Sequence, residues 1–133
     1  MYVPPGFGTV TPYFFVANAT GFVDFLVSGL GGREAHRSAR PDGNIANAQI
    51  QLGTSTVMVS EASDRYPPMS ASCYFYVENA ELSMARAIAH GAALEMEVAD
   101  MPYGDRQGGV RDRWGNIWWV SQRIVEEPYA PPE

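Results

Sequence analysis

The sequence predicts an α+β protein built from two βαβββ modules in tandem, and the main reason is an internal repeat. Residues 13–19 read Tyr-Phe-Phe-Val-Ala-Asn-Ala and residues 74–80 read Tyr-Phe-Tyr-Val-Glu-Asn-Ala, which gives five identities in seven positions at an offset of 61. The same offset aligns the Val-Ser pair at 59–60 with the pair at 120–121. Ordered matches at both ends of a segment indicate a duplicated unit. We therefore expect one domain over residues 1–133, with modules at about 8–61 and 70–122.

The first module has the pattern of a strand, a helix and three further strands. Aromatic and β-branched residues at 11–17 predict the first strand. Asn18 is a suitable N-cap, and the apolar residues that follow it at helical spacing predict a helix over 19–28, which ends at a group of glycines. Turn-forming residues separate three further predicted strands at 33–38, 45–52 and 56–60.

The second module repeats this order. A strand is predicted at 72–77, followed by a helix that begins at Asn79 and ends at His90-Gly91. The remaining strands are predicted at 94–98, 107–111 and 117–122. Residues 62–69 link the modules, and the proline-rich segment 126–133 is expected to be ordered only where it docks on the protein.

Composition excludes several classes of function. The net charge is −6, all nine basic residues are arginine, and no lysine is present. An acidic chain with no basic run is a poor candidate for nucleic-acid binding, and a chain without lysine has no Schiff-base chemistry of its own. No apolar run approaches the ~20 residues of a membrane span, and no secretory signal is visible. The single cysteine, Cys73, allows no intrachain disulfide, which fits a cytoplasmic location.

Several local motifs carry a family resemblance: Thr9–Tyr13, Pro41–Gly43, Gly104–Asp112, Gly115 and Trp118. They resemble the PhnB-like branch of the vicinal oxygen chelate superfamily, which includes glyoxalases, bleomycin resistance proteins and extradiol dioxygenases. The resemblance covers residues 5–125, and its most specific part is the run from Gly104 to Asp112. The resemblance implies that the two modules form a curved, eight-stranded mixed sheet around a cleft, the glyoxalase/bleomycin resistance fold, and that the protein is a homodimer.

The metal ligands of the superfamily have no counterparts in this chain. The resemblance aligns the four ligand positions with Thr11, Met58, Ser72 and Trp119. Methionine is too soft for the family's metals, tryptophan cannot ligate, and neutral serine and threonine are weak ligands. We therefore expect no metal site and no cofactor.

The same alignment predicts an aromatic, neutral pocket for a small molecule. Many PhnB-like sequences have a His and a Glu where this chain has Asn47 and Gln49, which can hydrogen-bond but cannot act as bases. Period-two alternation places every second residue of a strand on one face. The predicted ligand-binding residues are Thr11, Tyr13, Phe15, Asn47, Gln49, Met58, Ser72, Tyr74, Tyr76, Arg106 and Trp119. The alternative is a filled core without a cavity.

The charged residues of the Gly104–Asp112 run have two interpretations. Asp105, Arg106, Arg111 and Asp112 either contact a ligand or form ion pairs that stabilise turns. Arg106 is the strongest candidate for a ligand contact, because a guanidinium holds an anionic group in a bidentate manner. His36, predicted on the second strand, is the one plausible catalytic base, although a single strand histidine is more often a surface residue.

Three functions remain open from the sequence. The first is a metal-independent protein that binds or sequesters a small molecule, similar to bleomycin resistance proteins. The second is a metal-independent isomerase or lyase that uses a tyrosine, Arg106 or His36. The third, which the missing ligands disfavour, is a metal-dependent glyoxalase or dioxygenase.

Overall fold

The computed structural model describes residues 1–129 and divides the chain into two compact units between Ala71 and Ser72. The N-terminal unit (residues 1–71) contains β1 (Tyr13–Val16), α1 (Ala19–Asp24), β2 (Arg33–Ala39), β3 (Ile45–Leu52) and β4 (Ser55–Glu61). The C-terminal unit (residues 72–129) contains β5 (Ser72–Tyr76), α2 (Ala80–Ala89), β6 (Ala93–Asp100), β7 (Asp105–Arg111) and β8 (Ile117–Arg123). Each unit thus has the predicted βαβββ order.

Each unit forms one four-stranded mixed sheet. The strand order is β1-β4-β3-β2 in the N-terminal unit and β5-β8-β7-β6 in the C-terminal unit. In both sheets the first strand is parallel to the last strand of its unit, and the other pairs are antiparallel. The eight strands therefore divide equally between two sheets of the same topology, which confirms the α+β class and the duplication.

The N-terminal core lies between α1 and one face of its sheet. Alternation along β1 buries Phe14 and Val16, at 3% and 1% exposure. The Phe14 ring packs against Phe22 of α1 with a centroid distance of 5.2 Å, and Ile50 of β3 is fully buried. The opposite face of this sheet carries the neighbouring residues of the same strands and is left accessible.

The C-terminal unit repeats this packing of a helix on one face of its sheet. Met84 of α2 is buried, as are Val110 and Val120 of the sheet. At Gly108 a Cβ atom would lie only 2.8 Å from the Met84 methyl carbon, so glycine is what allows α2 to approach β7. No helix within residues 1–129 is both long and apolar enough to cross a membrane.

Both helices begin on an equivalent contact. In the N-terminal unit the Glu61 carboxylate accepts hydrogen bonds from the backbone N–H groups of Asn18 and Ala19, at 2.9 and 2.8 Å. In the C-terminal unit the Gln122 amide oxygen accepts one from the N–H of Ala80, at 3.0 Å. Glu61 and Gln122 are related by the repeat offset of 61. The duplication thus includes the side chain that satisfies the first free N–H groups of each helix.

Several element bounds differ from the sequence prediction, among them that of β7, which begins at Asp105 rather than at residue 107. The predicted helix over 19–28 is α-helical only to Asp24 and continues as a π-helical turn over Phe25–Gly29. The first strand begins at Tyr13 rather than at residue 11, because Pro12 has no N–H to donate to a strand partner. Pro12 still accepts a hydrogen bond from the N–H of Met58, at 2.9 Å. Thr11 therefore lies just before β1.

Candidate functional site

Four residues that the sequence singles out form one row across the N-terminal sheet. Tyr13 is the cross-strand partner of Met58, Met58 is the partner of Gln49, and Gln49 is the partner of His36. Directly opposite residues project from the same face of a sheet. That face is the one turned away from α1, since Phe14, next to Tyr13, points to the helix. Tyr13 is 44% exposed, and Gln49 and Met58 are half-buried.

A chain of hydrogen bonds orders the polar groups on this face. The Tyr13 and Ser60 hydroxyls are 2.7 Å apart, and Ser60 donates to the backbone oxygen of Ala46 at 2.6 Å. The Asn47 amide donates to the Tyr13 hydroxyl at 3.4 Å, and the Gln49 amide donates to the Asn47 side-chain oxygen at 3.2 Å. Asn47 and Gln49 are thus held beside Tyr13 by these hydrogen bonds.

Two pockets open on this face of the N-terminal sheet. The first has a volume of about 440 Å³ and is lined by Thr11, Gln49 and Met58 together with the N-terminal segment that contains Tyr2, Val3, Pro4, Phe7, Gly8 and Thr9. A hydrogen bond of 2.5 Å from the Thr56 hydroxyl to the Gly6 oxygen holds that segment against the sheet. A volume of this size is within the range of ligand sites.

The second pocket has a volume of about 420 Å³ and is more aromatic. Its lining is Tyr13, Phe15, Arg40, Ala46, Ser60 and Tyr66. The rings of Tyr13 and Phe15 stack with centroids 4.7 Å apart, and Tyr66 stacks on Phe15 at 5.4 Å. The Arg40 guanidinium donates to the backbone oxygen of Glu61 at 2.6 Å, which fixes this cation at the pocket. The two pockets together contain five of the predicted ligand-binding residues.

The equivalent face of the C-terminal sheet carries the other predicted aromatic residues. Trp119 is the cross-strand partner of Tyr74 on one side and of Gly109 on the other. A Cβ atom at Gly109 would lie 3.0 Å from the indole, so the glycine provides the space in which this ring lies. The indole N–H donates to the Ser72 hydroxyl at 2.9 Å. The structure therefore brings Ser72, Tyr74 and Trp119 together.

The buried carboxylate of Asp105 bonds several side chains on the same face. The sequence did not predict this central position for Asp105. Asp105 is 0% exposed and accepts hydrogen bonds from the hydroxyls of Tyr74, Tyr76 and Tyr129. The Arg123 guanidinium donates to it as well, at 3.0 Å. We call these five residues the Asp105 cluster. They come from four separate segments of the chain, so no local spacing identifies them in the sequence.

The environment of Tyr74 keeps its hydroxyl protonated. Half of the ring is exposed, but the hydroxyl end lies against the fully buried Asp105, with an oxygen-to-oxygen distance of 2.6 Å. Burial raises the pKa of Tyr74 above its ordinary value, and the hydrogen bond to the Asp105 carboxylate raises it further. The Tyr74 hydroxyl also contacts the side-chain oxygen of Gln107 at 2.8 Å. Tyr74 is consequently a hydrogen-bond donor rather than a base.

Arg106 lies apart from these residues. Asp105 and Gln107, on either side of it in β7, both bond Tyr74, so alternation turns Arg106 to the opposite face. There its guanidinium pairs with Asp100 at 2.8 Å. The hydrogen bond from Arg106 lowers the pKa of the Asp100 carboxyl. The structure does not bring Arg106 to the aromatic residues with which it was predicted to bind a ligand.

The other charged residues of the Gly104–Asp112 run follow the ion-pair interpretation. Arg111 pairs with Glu95 at 2.6 Å. Asp112 is buried and bonds the turn that follows it, with acceptor distances of 2.9 Å to the backbone N–H of Trp114 and 2.9 Å to the indole N–H of Trp118. Asp105 differs from both, because its partners include three tyrosines.

The donor set at the family's metal positions does not fit a metal ion. Ser72 is engaged by the Trp119 indole, Met58 offers a thioether, and Thr11 offers a neutral hydroxyl. Within residues 1–129 no three or more His, Cys, Asp or Glu side chains are grouped so that they could hold a metal ion.

The chain is similar in sequence to mycobacterial proteins. It is 26% identical over 128 residues to "Uncharacterized protein Mb0911c" of Mycobacterium bovis, a match that covers 88% of this chain and 84% of that protein. The same identity relates it to "Uncharacterized protein Rv0887c" of Mycobacterium tuberculosis, with 88% and 75% covered. No model of a known protein family matches the sequence.

Solved structures identify the class of fold. TioX from Micromonospora sp. ML1 matches with a TM-score of 0.70 and 25% identity, over 86% of this chain and 99% of TioX. TnmS3, an antibiotic binding protein from Streptomyces sp. CB03234, matches with a TM-score of 0.71 and 17% identity, over 92% of this chain and 98% of TnmS3. Further matches are described as glyoxalase/bleomycin resistance proteins and as a PhnB protein.

These matches confirm the fold that the resemblance implies. The chain has the glyoxalase/bleomycin resistance/dioxygenase fold. The PhnB protein from Bacillus cereus has this fold too, with a TM-score of 0.61 at 15% identity over 86% of this chain and 99% of that protein.

Proposed function

We propose that this protein binds a small organic molecule without a metal ion and sequesters it in the pockets of the N-terminal sheet. The observation that carries this proposal is the pair of pockets of about 440 and 420 Å³ on one accessible sheet face. Stacked rings supply apolar contact area, and ordered amide and hydroxyl groups supply a few hydrogen bonds, which is the composition typical of small-molecule sites.

The solved structures support the same class of function. TnmS3 has this fold and is described as an antibiotic binding protein. A binding role also agrees with the chemistry of the pocket linings, which contain arginine and tyrosine but no carboxylate or histidine. The Arg40 guanidinium offers hydrogen-bond donors and no acceptor, so it can pair with an anionic group of a ligand.

A thermal-shift screen of planar aromatic compounds, with and without an acidic group, followed by calorimetry on the strongest hit, tests this proposal. Met58→Ala removes a wall of the first pocket, and Tyr66→Ala removes the outer ring of the second. We expect at least one of them to weaken binding by about tenfold, which corresponds to ~1.4 kcal/mol. Leu82→Ala, on an α2 residue that is 69% exposed, is the matched control. Unchanged affinity in both pocket variants would contradict the proposal.

A second candidate function is a metal-independent isomerase or lyase with His36 as the base. It is favoured by one observation: His36 is the cross-strand partner of Gln49, which lines the first pocket. Residues in this relation have Cβ atoms roughly 5 Å apart, so the imidazole is within reach of a ligand beside Gln49. Chromatography of the hit after incubation with the protein separates the two functions. Conversion that His36→Gln abolishes would establish the enzyme, and recovery of the unchanged compound supports sequestration.

We also propose that the protein is a homodimer, as the resemblance implies, and that it is cytoplasmic, as its single cysteine indicates. Sedimentation equilibrium of the full chain tests the proposed state, and a monomer mass at micromolar concentration would contradict it.

A further inference from the structure

The Asp105 cluster contains three tyrosine hydroxyls as well as the ion pair between Asp105 and Arg123. A structural ion pair does not need these hydroxyls. One carboxylate oxygen of Asp105 accepts from three tyrosine hydroxyls, at 2.6 Å from Tyr74, 3.0 Å from Tyr76 and 2.6 Å from Tyr129. Its other oxygen accepts from Arg123 at 3.0 Å. The carboxylate is completely buried, and a buried hydrogen bond is electrostatically stronger than one in water.

Tyr129 differs from the other two tyrosines in how it reaches Asp105. Tyr74 and Tyr76 belong to β5, whereas Tyr129 comes from the segment after β8, which forms no helix or strand through residue 129. Its ring lies under the Arg123 guanidinium, 4.5 Å from the guanidinium carbon to the ring centroid. The ring is nevertheless 50% exposed. The Tyr129 hydroxyl also contacts the Tyr76 hydroxyl, and its ring lies 6.4 Å from the Tyr103 ring, centroid to centroid. Tyr129 is thus held as a ligand is held, through its hydroxyl and its ring.

The remaining members of the cluster form a site that exists without Tyr129. Arg123 is fixed by two backbone oxygens in addition to Asp105, those of Tyr103 and Glu127, each at 2.6 Å. Asp105 keeps the hydroxyls of Tyr74 and Tyr76 when Tyr129 leaves. Departure of Tyr129 therefore leaves no unpaired buried charge, which would otherwise make the exchange costly.

We propose that the Asp105 cluster is a binding site for phenols, in which Tyr129 occupies the place of the ligand. A compound with an aryl hydroxyl donates a hydrogen bond to Asp105 and places its ring under Arg123, as Tyr129 does. An aryl ether cannot replace it, because it has no hydrogen to donate to the carboxylate. This site is in the C-terminal unit and shares no residue with the N-terminal pockets.

The linked Tyr129 competes with a free phenol. A side chain on a short tether has an effective concentration of about millimolar, so a phenol of comparable affinity is partly excluded from the wild-type protein. Removal of the ring in Tyr129→Ala should tighten the binding of p-cresol by about threefold or more. In Tyr129→Phe the ring persists without its hydroxyl, and we expect an affinity between those of the other two proteins.

The experiment measures p-cresol and 4-methylanisole binding to the full-length protein by ligand-observed NMR. We expect Tyr129→Ala to bind p-cresol at least about tenfold more tightly than 4-methylanisole, because only p-cresol can donate a hydrogen bond to the charged Asp105 carboxylate. Asp105→Asn in the Tyr129→Ala background should remove most of that preference. If this double variant fails to fold, the comparison of the two compounds on Tyr129→Ala still shows whether the hydroxyl is recognised.

Three results would overturn the inference. They are equal affinity of Tyr129→Ala and wild type for p-cresol, equal affinity of Tyr129→Ala for p-cresol and 4-methylanisole, and loss of p-cresol binding in Met58→Ala. The last result would place the phenol in the N-terminal pockets, which would leave the proposed function intact. Conversely, failure of both pocket variants in the N-terminal unit to affect a screening hit would leave the phenol site intact.

Discussion

Asp112 is the residue whose replacement should most clearly show how a buried acid holds the C-terminal sheet. It accepts hydrogen bonds from the backbone N–H groups of Trp114 and Asn116, at 2.9 and 3.0 Å. It also accepts from the Asn116 side-chain amide, at 3.0 Å, and from the Trp118 indole, at 2.9 Å. Asn116 and Trp118 are 0% and 2% exposed. We expect Asp112→Ala to leave several of these donors without a protein acceptor.

The size of the effect follows from that count. Each buried donor left unsatisfied costs about 1–3 kcal/mol, and water that enters the vacated space recovers part of this. The expected loss in the free energy of unfolding is therefore about 3–5 kcal/mol, a large part of the ~5–15 kcal/mol that a domain has. Asp112→Asn keeps the shape and one acceptor oxygen, so its loss should be smaller.

Urea unfolding followed by circular dichroism measures this loss, and Asp42→Ala is the matched control. Asp42 also accepts hydrogen bonds in a turn, from the backbone N–H of Asn44 at 2.9 Å, but it is exposed. Water can replace it there, so we expect a loss below ~1 kcal/mol. Equal losses in the two variants would refute the argument that burial makes Asp112 important.

Three further outcomes are expected. Glu61→Gln should lower the free energy of unfolding by less than ~1 kcal/mol in urea melts, because the neutral Gln122 amide accepts the equivalent hydrogen bond at the start of α2. A larger loss would show that the charge of Glu61 itself is needed. Gly32→Ala should cost about 1–3 kcal/mol by the same assay, since its Cβ would lie 2.9 Å from the Leu26 backbone oxygen. The folded protein holds the Tyr74 proton more tightly than the unfolded chain, so stability should fall as pH rises above ~10. Tyr74→Phe should flatten that pH dependence, and an unchanged curve would contradict the assignment.

The fold was largely predictable because the duplication repeats its signals. The Val-Ser pairs that align at an offset of 61 occupy equivalent places in β4 and β8, and both predicted N-cap asparagines, Asn18 and Asn79, accept from the helix N–H three residues on. The π-helical turn over Phe25–Gly29 was not predictable, since it has the same apolar spacing as an α-helix.

The candidate site was predictable where it depends on alternation along a strand. Period two places Tyr13 with Phe15, and Tyr74 with Tyr76, and in the structure each pair is in ring contact. The Asp105 cluster was not predictable from the repeat, because the first module has no carboxylate at the equivalent position. Cross-strand pairing makes Asp105 the counterpart of Ile45, a buried apolar residue at the start of β3.

The tail illustrates the same limit. Segment 126–133 was expected to be ordered only by docking, and its Tyr129 does dock on Asp105. Residues 130–133 lie outside the described residues. The partner of Tyr129 depends on the tertiary arrangement, which no composition or spacing encodes.

The most direct test of the account is a map of where the strongest screening hit binds. Two-dimensional ¹⁵N–¹H NMR of the labelled full-length protein, titrated with that compound, reports the amides that change. The account predicts saturable shifts centred on the two N-terminal pockets, at Thr11, Phe15, Gln49 and Met58. Shifts confined to α1 and to the strand residues that face it would contradict this expectation. So would a compound that shifts none of these four amide signals.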